Sequence, residues 1–394
     1  MSVADGERHI LIDALRGFAL FGIVLVNIQG FSWGIGAPSL GMLWDDAGTR
    51  DEATVTLTSL LLAHKIYPIF CFCFGYGFAV MAQRWRRAGL DTAGIAARYQ
   101  RRLQFLLAIG LVHGSVIWFG DILAGYALAG FLLTIHLGLG PRSLLKPLRF
   151  WGGVLLALGL INVLAAMSIT PRPVTDTEVG EMLDRFMIYS TGGYLDTITT
   201  RLGDVAQLLA AWLFLFPHVV FIFLLGAIVA QLGWLKAPKR HIQKWRRIFF
   251  CSLALGLPFS IGLAANSVDV ASDPTRLPNT WALICLMFAP LLAPAYIAAL
   301  ALGSLTPLGG KLITLLAPMG RMALTNYLMQ SVLMSLLLNG YGLSLADRGQ
   351  FVIALMAIGI FVAQLIFSHV YLRYHAQGPM EAWWRRHTYN DKVQ

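Results

Sequence analysis

The chain has 394 residues, of which 57% are hydrophobic and only 13% are charged, and its mean hydropathy is +0.67. A water-soluble protein carries about twice that share of charged residues, so a soluble globular protein is excluded. We therefore interpret residues 1–394 as a single integral membrane domain. The formal net charge of +10 does not call for nucleic acid as a partner, because a basic rim facing anionic lipid accounts for it.

Apolar stretches of about 20 residues recur along the whole chain, and each is long enough to cross roughly 30 Å of hydrocarbon. They predict an all-α, polytopic membrane helix bundle of about ten transmembrane helices. The first is interpreted as an uncleaved span, because Asp13 and Arg16 interrupt its start and no small-residue cleavage site follows. The predicted spans are 11–30, 56–82, 103–119, 122–139, 150–170, 206–234, 248–266, 280–303, 318–338 and 350–372.

The connections between these spans alternate in charge. Lysine and arginine fill one set, aspartate and glutamate fill the other, and with the termini included 24 of the 30 Lys and Arg belong to one face. The positive-inside rule then predicts that both termini are cytoplasmic and that the acidic connections lie outside. Six arginines depart from this pattern: Arg50, Arg172, Arg185, Arg201, Arg276 and Arg348.

Two segments outside the spans carry apolar patterns of their own. Residues 171–205 have apolar side chains at helical spacing, which predicts an external amphipathic segment on the outer surface or over a cavity. Residues 374–394 form the predicted cytoplasmic interfacial tail, in which Gly378-Pro379 stops and restarts a helix before the anchor Trp383-Trp384-Arg385-Arg386. The four cysteines all lie in predicted spans and indicate neither a metal site nor a disulfide.

A charged side chain at membrane depth costs about 2.5–3.5 kcal/mol, so each one is a candidate functional residue. Asp13 and Arg16 are three residues apart at the inner end of the first span and can pair on one helix face. Such a pair is either a structural ion pair that fixes the position of the helix end or part of an anion-binding site in which Arg16 is the ligand. Asn27 lies farther along the same span, near the opposite interface.

The third and fourth spans form a hairpin with a histidine and an aspartate at its outer end. His113 precedes the external turn Gly120-Asp121, and Tyr126 follows it. A histidine in this position either packs by a hydrogen bond or serves as a general base. A His113–Asp121 pair would fix the tautomer of the ring and raise its basicity.

The ninth span has one polar face, on which Asn326 and Gln330 are four residues apart and Arg321 with Thr325 forms a neighbouring stripe. Interhelical hydrogen bonds and the lining of a polar substrate path both explain such a face. Lys65 near the outer end of the second span can snorkel to the interface. His218 follows Pro217, which frees a backbone carbonyl and kinks the sixth span.

Five motifs in order resemble those of the YeiB-like bacterial membrane proteins, a family described as domain of unknown function 418. The resemblance covers nearly the whole chain and implies a multi-pass protein of the bacterial inner membrane. One departure is His64 before Lys65, where the family pattern has glycine. The matching motifs are Ile12–Asn27, Phe72–Phe78, His113–Leu128, Gly320–Ser331 and Gly378–Arg385.

That family is distantly similar to the transmembrane acyltransferases, including the heparan-alpha-glucosaminide N-acetyltransferase group. The similarity implies transfer of an acyl group from cytoplasmic acetyl-CoA or another acyl-CoA to a hydroxyl or amine of a glycan or small molecule at the outer face. A membrane-embedded histidine performs the transfer in those enzymes. The matching catalytic candidates in this chain are His113 and Asp121.

Two further sets of residues follow from the same interpretation. The basic rim would hold the CoA phosphates through Arg16, Arg98, Arg101, Arg102 and Arg321. The substrate path would be lined by Asp13, Asn27, Lys65, Tyr126, His218, Asn326 and Gln330. A transporter that moves a small solute through the same bundle remains the alternative, and the sequence neither requires nor excludes an oligomer.

The charge pattern gives a testable topology. Single cysteines placed at Thr177 and Asp273 should react with an impermeant maleimide in intact cells, whereas cysteines at Arg86 and Lys239 should not. Labelling at Lys239 without labelling at Thr177 would overturn the orientation.

Overall fold

The computed structural model describes residues 10–35, 40–44, 47–168, 175–273 and 280–388. Within these ranges the regular structure is entirely helical, so the predicted all-α fold is confirmed. Seven helical stretches are long and apolar enough to cross a membrane, and α5 and α13 are shorter apolar helices. Together with α4, which contains the predicted span 103–119, they form a polytopic bundle.

The α-helices follow one another with short connections along most of the described chain. Their bounds are α1 Ile10–Gly30, α2 Thr49–Leu61, α3 Ile66–Arg87, α4 Thr92–Val116, α5 Leu123–Thr134, α6 Leu145–Ser168, α7 Asp176–Thr191, α8 Tyr194–Leu232, α9 Ile242–Ser272, α10 Thr280–Phe288, α11 Ala293–Gly303, α12 Pro307–Arg321, α13 Ala323–Leu338, α14 Gln350–Tyr374 and α15 Pro379–Thr388.

Contacts between connections define two ends of the bundle. At one end, the Trp384 indole donates to the Arg102 carbonyl over 3.1 Å; we call this the basic end. At the other, the Phe351 amide donates to the Asp51 carboxylate over 2.8 Å, and the Gly340 amide donates to a backbone carbonyl of α7; we call this the acidic end. The basic and acidic connections thus lie at opposite ends, and the assignment of the basic end to the cytoplasm stays a prediction.

The first helix lies in the core, and α12 packs closely against it. A Cβ atom at Gly17 would lie 2.3 Å from the Leu316 carbonyl oxygen, and a Cβ atom at Gly320 would lie 1.8 Å from the Asp13 carbonyl oxygen. Both distances are far inside van der Waals contact. Glycine at these two positions therefore lets the backbones of α1 and α12 approach, as small residues do at membrane helix interfaces.

Three predicted spans are not continuous helices. The span predicted over 56–82 is divided between α2 and α3, because the chain turns at residues 62–65, where His64 has a φ of +63°. The span over 280–303 contains a short 3₁₀ turn at Ala289–Leu292, where prolines remove amide donors. The span over 318–338 is interrupted at Met322, which separates α12 from α13.

The segment predicted as external and amphipathic contains α7 and the start of α8, and its residues 171–174 lie outside the described part of the chain. Thr175 caps α7 by accepting from the Glu178 amide, and α8 then runs without a break into the sixth span. The exposed positions at the start of α8 include Leu195 and Leu202, whereas Arg201 and Asp204 are buried. Its polar face therefore points into the protein.

The close packing of α1 against α12 can be tested by adding one methyl group at position 320. Gly320→Ala should destabilise the protein by about 1–3 kcal/mol or more, because overpacking forces the backbones apart. Gly359→Ala on α14 is the matched control, since a Cβ atom there meets nothing within 4 Å. Thermal unfolding in detergent should show a lower midpoint for Gly320→Ala and no loss for Gly359→Ala. Equal midpoints would contradict the close packing.

Candidate functional site

The hairpin between α4 and α5 brings His113 and Asp121 into direct contact. His113 lies in the last turn of α4, and the chain then reverses before α5 begins at Leu123. The His113 Nδ1 atom is 2.9 Å from Asp121 Oδ1, and the two residues are 1% and 6% exposed. The sequence placed both residues near one turn, and the structure shows them hydrogen-bonded in the protein interior.

The second carboxylate oxygen of Asp121 fixes the orientation of that side chain. Asp121 Oδ2 accepts from the Ala124 amide over 2.8 Å at the start of α5. An ionised carboxylate only accepts hydrogen bonds, so we assign the proton of the neutral His113 ring to Nδ1. The lone pair of Nε2 is then available, and this buried atom has no hydrogen-bond partner in the described protein. The arrangement leaves a basic nitrogen ready to accept a proton.

Tyr327 on α13 lies beside this histidine. The two ring centroids are 5.2 Å apart, and the buried Tyr327 hydroxyl lies against the backbone of Ile122 and the Asp121 carboxylate. A buried polar atom without a partner costs about 1–3 kcal/mol. The unpartnered Nε2 atom of His113 beside this ring is therefore typical of a site that a ligand or water completes. Nothing in the sequence marks Tyr327, because a tyrosine in an apolar helix carries no signal of its own.

A second chain of polar contacts joins two of the predicted substrate-lining residues. The Tyr126 hydroxyl donates to the Tyr67 carbonyl over 3.1 Å and accepts from the Cys71 thiol. The Tyr67 hydroxyl in turn lies 2.6 Å from His218 Nδ1. Tyr126 and His218 therefore meet through Tyr67, a residue that the sequence analysis did not select.

The polar residues of α13 are held by neighbouring helices. The Asn326 amide donates to the Met319 carbonyl and to Ser368 Oγ, each over 3.0 Å. The Gln330 amide donates to the Leu20 carbonyl over 3.3 Å and to Gln364 Oε1 over 3.0 Å. These are interhelical hydrogen bonds, the first of the two explanations that the sequence left open.

The polar face predicted along a single ninth span is wrong at its inner end. Arg321 ends α12 and Thr325 belongs to α13, so the two do not share a helix. Thr325 instead donates to Glu381 of α15 over 2.6 Å, and the same carboxylate accepts the amides of Leu324 and Thr325. Burial raises the pKa of Glu381, and these donors oppose the shift.

The arginines predicted to hold an anion lie around the basic end in separate contacts. Arg16 pairs with Asp13 over 3.0 Å and reaches the Cys73 carbonyl at 3.5 Å. The Arg102 guanidinium lies 3.9 Å from the centre of a Trp384 ring. Arg321 donates to the Ala376 carbonyl over 3.1 Å. Of the other two candidates, Arg98 is half-buried and Arg101 is exposed.

Lys65 does not snorkel to an interface. It is fully buried, and its ammonium group donates to the Ser59 carbonyl at the turn between α2 and α3. The next residue, Ile66, packs where a Cβ atom at Gly22 would lie, which sets the turn beside the middle of α1. Asn27, the other candidate on this side of the bundle, is half-buried on α1.

A cavity of about 110 Å³ opens between α3, α5 and α8 at the basic end. Its polar lining includes Gln83, Arg86, His136 and Gln231, and the buried Nδ1 atom of His136 has no hydrogen-bond partner in the described ranges. This volume is several times the minimum that one water molecule requires. Leu133, which also lines the cavity, lies seven residues from Tyr126 on α5, or about 10 Å along the helix.

At the acidic end, α7 and α8 bury a charged cluster that the sequence analysis missed. The Asp204 carboxylate accepts from Arg185 over 2.9 Å and from the Tyr189 hydroxyl over 2.8 Å. Arg201 is 1% exposed and donates to the Val116 carbonyl over 2.5 Å. Burial raises the pKa of Asp204, and the Tyr189 and Arg185 donors oppose that shift. Arg185 and Arg201 are two of the six arginines that depart from the positive-inside rule. That departure was the feature of the sequence that could have indicated the cluster.

Comparison with known proteins relates the chain to proteins of unknown function. The family described as "Protein of unknown function (DUF418)" matches residues 229–391. The uncharacterized protein YeiB of Escherichia coli (strain K12) is 32% identical over 405 residues, covering 97% of this chain and 96% of that protein. The uncharacterized protein YxaH of Bacillus subtilis (strain 168) is 28% identical over 404 residues, covering 97% of this chain and 94% of that protein. The chain therefore belongs to the YeiB family.

Proposed function

We propose that this protein is a membrane-embedded acyltransferase of the bacterial inner membrane. It moves an acyl group from cytoplasmic acyl-CoA to a hydroxyl or amine of an acceptor at the outer face. The observation that carries the proposal is the buried His113–Asp121 pair, in which one ring nitrogen is hydrogen-bonded at 2.9 Å and the other has no partner among the described residues. A packing histidine normally satisfies both nitrogens, whereas a general base needs one of them free.

The chemistry requires one base and one acid. His113 Nε2 takes the proton of the acceptor hydroxyl or amine while the acceptor atom attacks the thioester carbonyl carbon. The bond between carbon and sulfur then breaks, and the protonated histidine returns its proton to the CoA thiolate. The Asp121 carboxylate stabilises the imidazolium between these two steps, and we assign the Tyr327 hydroxyl, whose ring lies beside His113, as the donor to the developing oxyanion.

The donor would approach from the basic end. Its phosphates carry several negative charges, and arginine is the side chain best suited to bind them because of its planar fork of donors. The predicted ligands are Arg16, Arg98, Arg101, Arg102 and Arg321. Arg86 and His136 at the mouth of the 110 Å³ cavity add a second basic surface at the same end. The Phe74 and Phe223 rings, stacked with centroids 4.6 Å apart, lie beside Tyr126, whose helix α5 also lines that cavity through Leu133.

Transport of a small solute is the second candidate, and the broken second span is the observation that favours it. Transporters commonly bind their substrates where a helix is interrupted near the middle of the membrane. The turn at residues 62–65 has this character, with a buried lysine and a residue in the left-handed region. Net uptake of an unmodified solute into proteoliposomes, without consumption of acyl-CoA, would favour this candidate.

The general base can be tested by replacement. His113→Ala should reduce the rate of acetyl-CoA consumption by about 10²–10⁴-fold, because a positioned base contributes that factor. Asp121→Asn should cost less, since it removes orientation and charge but keeps the base. His375→Ala is the matched control, because His375 is exposed on the tail and lies outside the proposed site.

Two measurements on each preparation separate catalysis from packing. Thermal unfolding with and without CoA reports folded protein and donor binding, and both should be retained in His113→Ala. Acetyl-CoA consumption per folded molecule should fall only in the hairpin variants. If His113→Ala keeps its activity per folded molecule, the catalytic assignment fails.

A further inference from the structure

Arg201 is a buried cation whose hydrogen-bonding capacity is largely unused. It is 1% exposed, and its one hydrogen bond to a described residue runs from Nη1 to the Val116 carbonyl. Its Nε and Nη2 atoms are buried without a partner in the described chain. Burying an ion costs several kcal/mol even after the protein relaxes. A guanidinium that gives up water while two of its nitrogens stay without a hydrogen bond therefore needs a reason other than packing.

The charges around Arg201 do not balance. Asp204 is the nearest acidic residue of the cluster, but it forms its ion pair with Arg185 over 2.9 Å. The remaining contact of Arg201 is with the Tyr189 ring, whose centre lies 6.0 Å from the guanidinium carbon. The described cluster thus contains two guanidinium groups and one carboxylate, so Arg185 and Arg201 share the field of a single anion.

We propose that Arg201 binds the anionic group, a carboxylate or a phosphate, of the molecule that accepts the acyl group. This inference rests on the proposed acyl transfer. The guanidinium fork presents parallel donors that match the oxygens of either group. Its two unpartnered nitrogens give it that capacity at a site where no described side chain uses it.

The position of Arg201 relative to the hairpin supports an acceptor rather than the donor. Arg201 donates a hydrogen bond to the carbonyl of Val116. Val116 follows His113 by three residues, so the two lie about one helical turn, or about 5 Å, apart along α4. The Tyr194 hydroxyl donates to the same carbonyl over 3.1 Å. A ligand held by Arg201 could thus place a hydroxyl or amine near His113 from the acidic end.

The test measures binding in the absence of acyl-CoA. Protein in phosphatidylcholine nanodiscs is dialysed against labelled glucuronate or sn-glycerol 3-phosphate, with glucose and glycerol as the neutral counterparts. The anions should bind saturably and the neutral molecules should not. Arg201→Gln should weaken binding by about 10- to 100-fold, the usual range for a charge-assisted hydrogen bond. Arg348→Gln is the matched control, because this arginine is exposed at the same end.

Further arms identify the source of the anion and guard against misfolding. If the natural group is a lipid headgroup, nanodiscs containing phosphatidylglycerol should displace the soluble anions. If the natural group belongs to a soluble molecule, they should not.

Arg201→Lys is the second variant and keeps the positive charge. It should fold and retain weak anion binding, so it keeps the test valid if Arg201→Gln does not fold. The binding measurement contains no acyl-CoA, so a failure of acyl transfer leaves its result unaffected. Equal anion binding by wild type and Arg201→Gln, or no saturable binding in phosphatidylcholine nanodiscs, would overturn the proposal.

Discussion

The hydrocarbon interior offers no water, so each polar group inside this bundle must find its partner within the protein. The bond between His113 and Asp121 is the clearest result of that constraint. Asp121 accepts from the histidine at 2.9 Å and from the first turn of α5 at 2.8 Å, so one carboxylate both closes the hairpin and orients the ring. Among the buried atoms without a partner in the described chain, His113 Nε2 belongs to this pair, and it therefore indicates where a ligand completes the site.

The surrounding helices keep that site in place through close contacts and local breaks. Glycines at positions 17 and 320 let α12 lie against α1, and α13 follows directly, carrying Tyr327 to the hairpin. Hydrogen bonds from Gln330 to the Leu20 carbonyl and to Gln364 hold α13 between α1 and α14. The turn at residues 62–65 sets Tyr67 beside Tyr126 and His218. The polar groups thus belong to several helices but meet in one region.

The sequence was sufficient for the class of fold, because a window of apolar residues reports directly on membrane insertion. It was also sufficient for the Asp13–Arg16 pair and for the proximity of His113 to Asp121, since both depend on short separations along the chain. It failed at the break near His64, which no adjacent glycine or proline marks, and at Met322, where Pro318 and Gly320 lie in what was predicted as one apolar span. It also failed at Tyr327 and Arg201, whose surroundings arise only when distant helices pack.

The central claim is that His113 faces a bound thioester, and it can be observed directly. A cryo-electron microscopy structure in nanodiscs, with a non-hydrolysable thioether analogue of acetyl-CoA, would show where the acyl end lies. The account predicts phosphates among the arginines of the basic end and the acyl group beside His113 Nε2, with room for an acceptor atom about 3–3.5 Å from the carbonyl position. An analogue bound where its acyl end cannot reach the hairpin, with Nε2 packed against protein, would contradict the account.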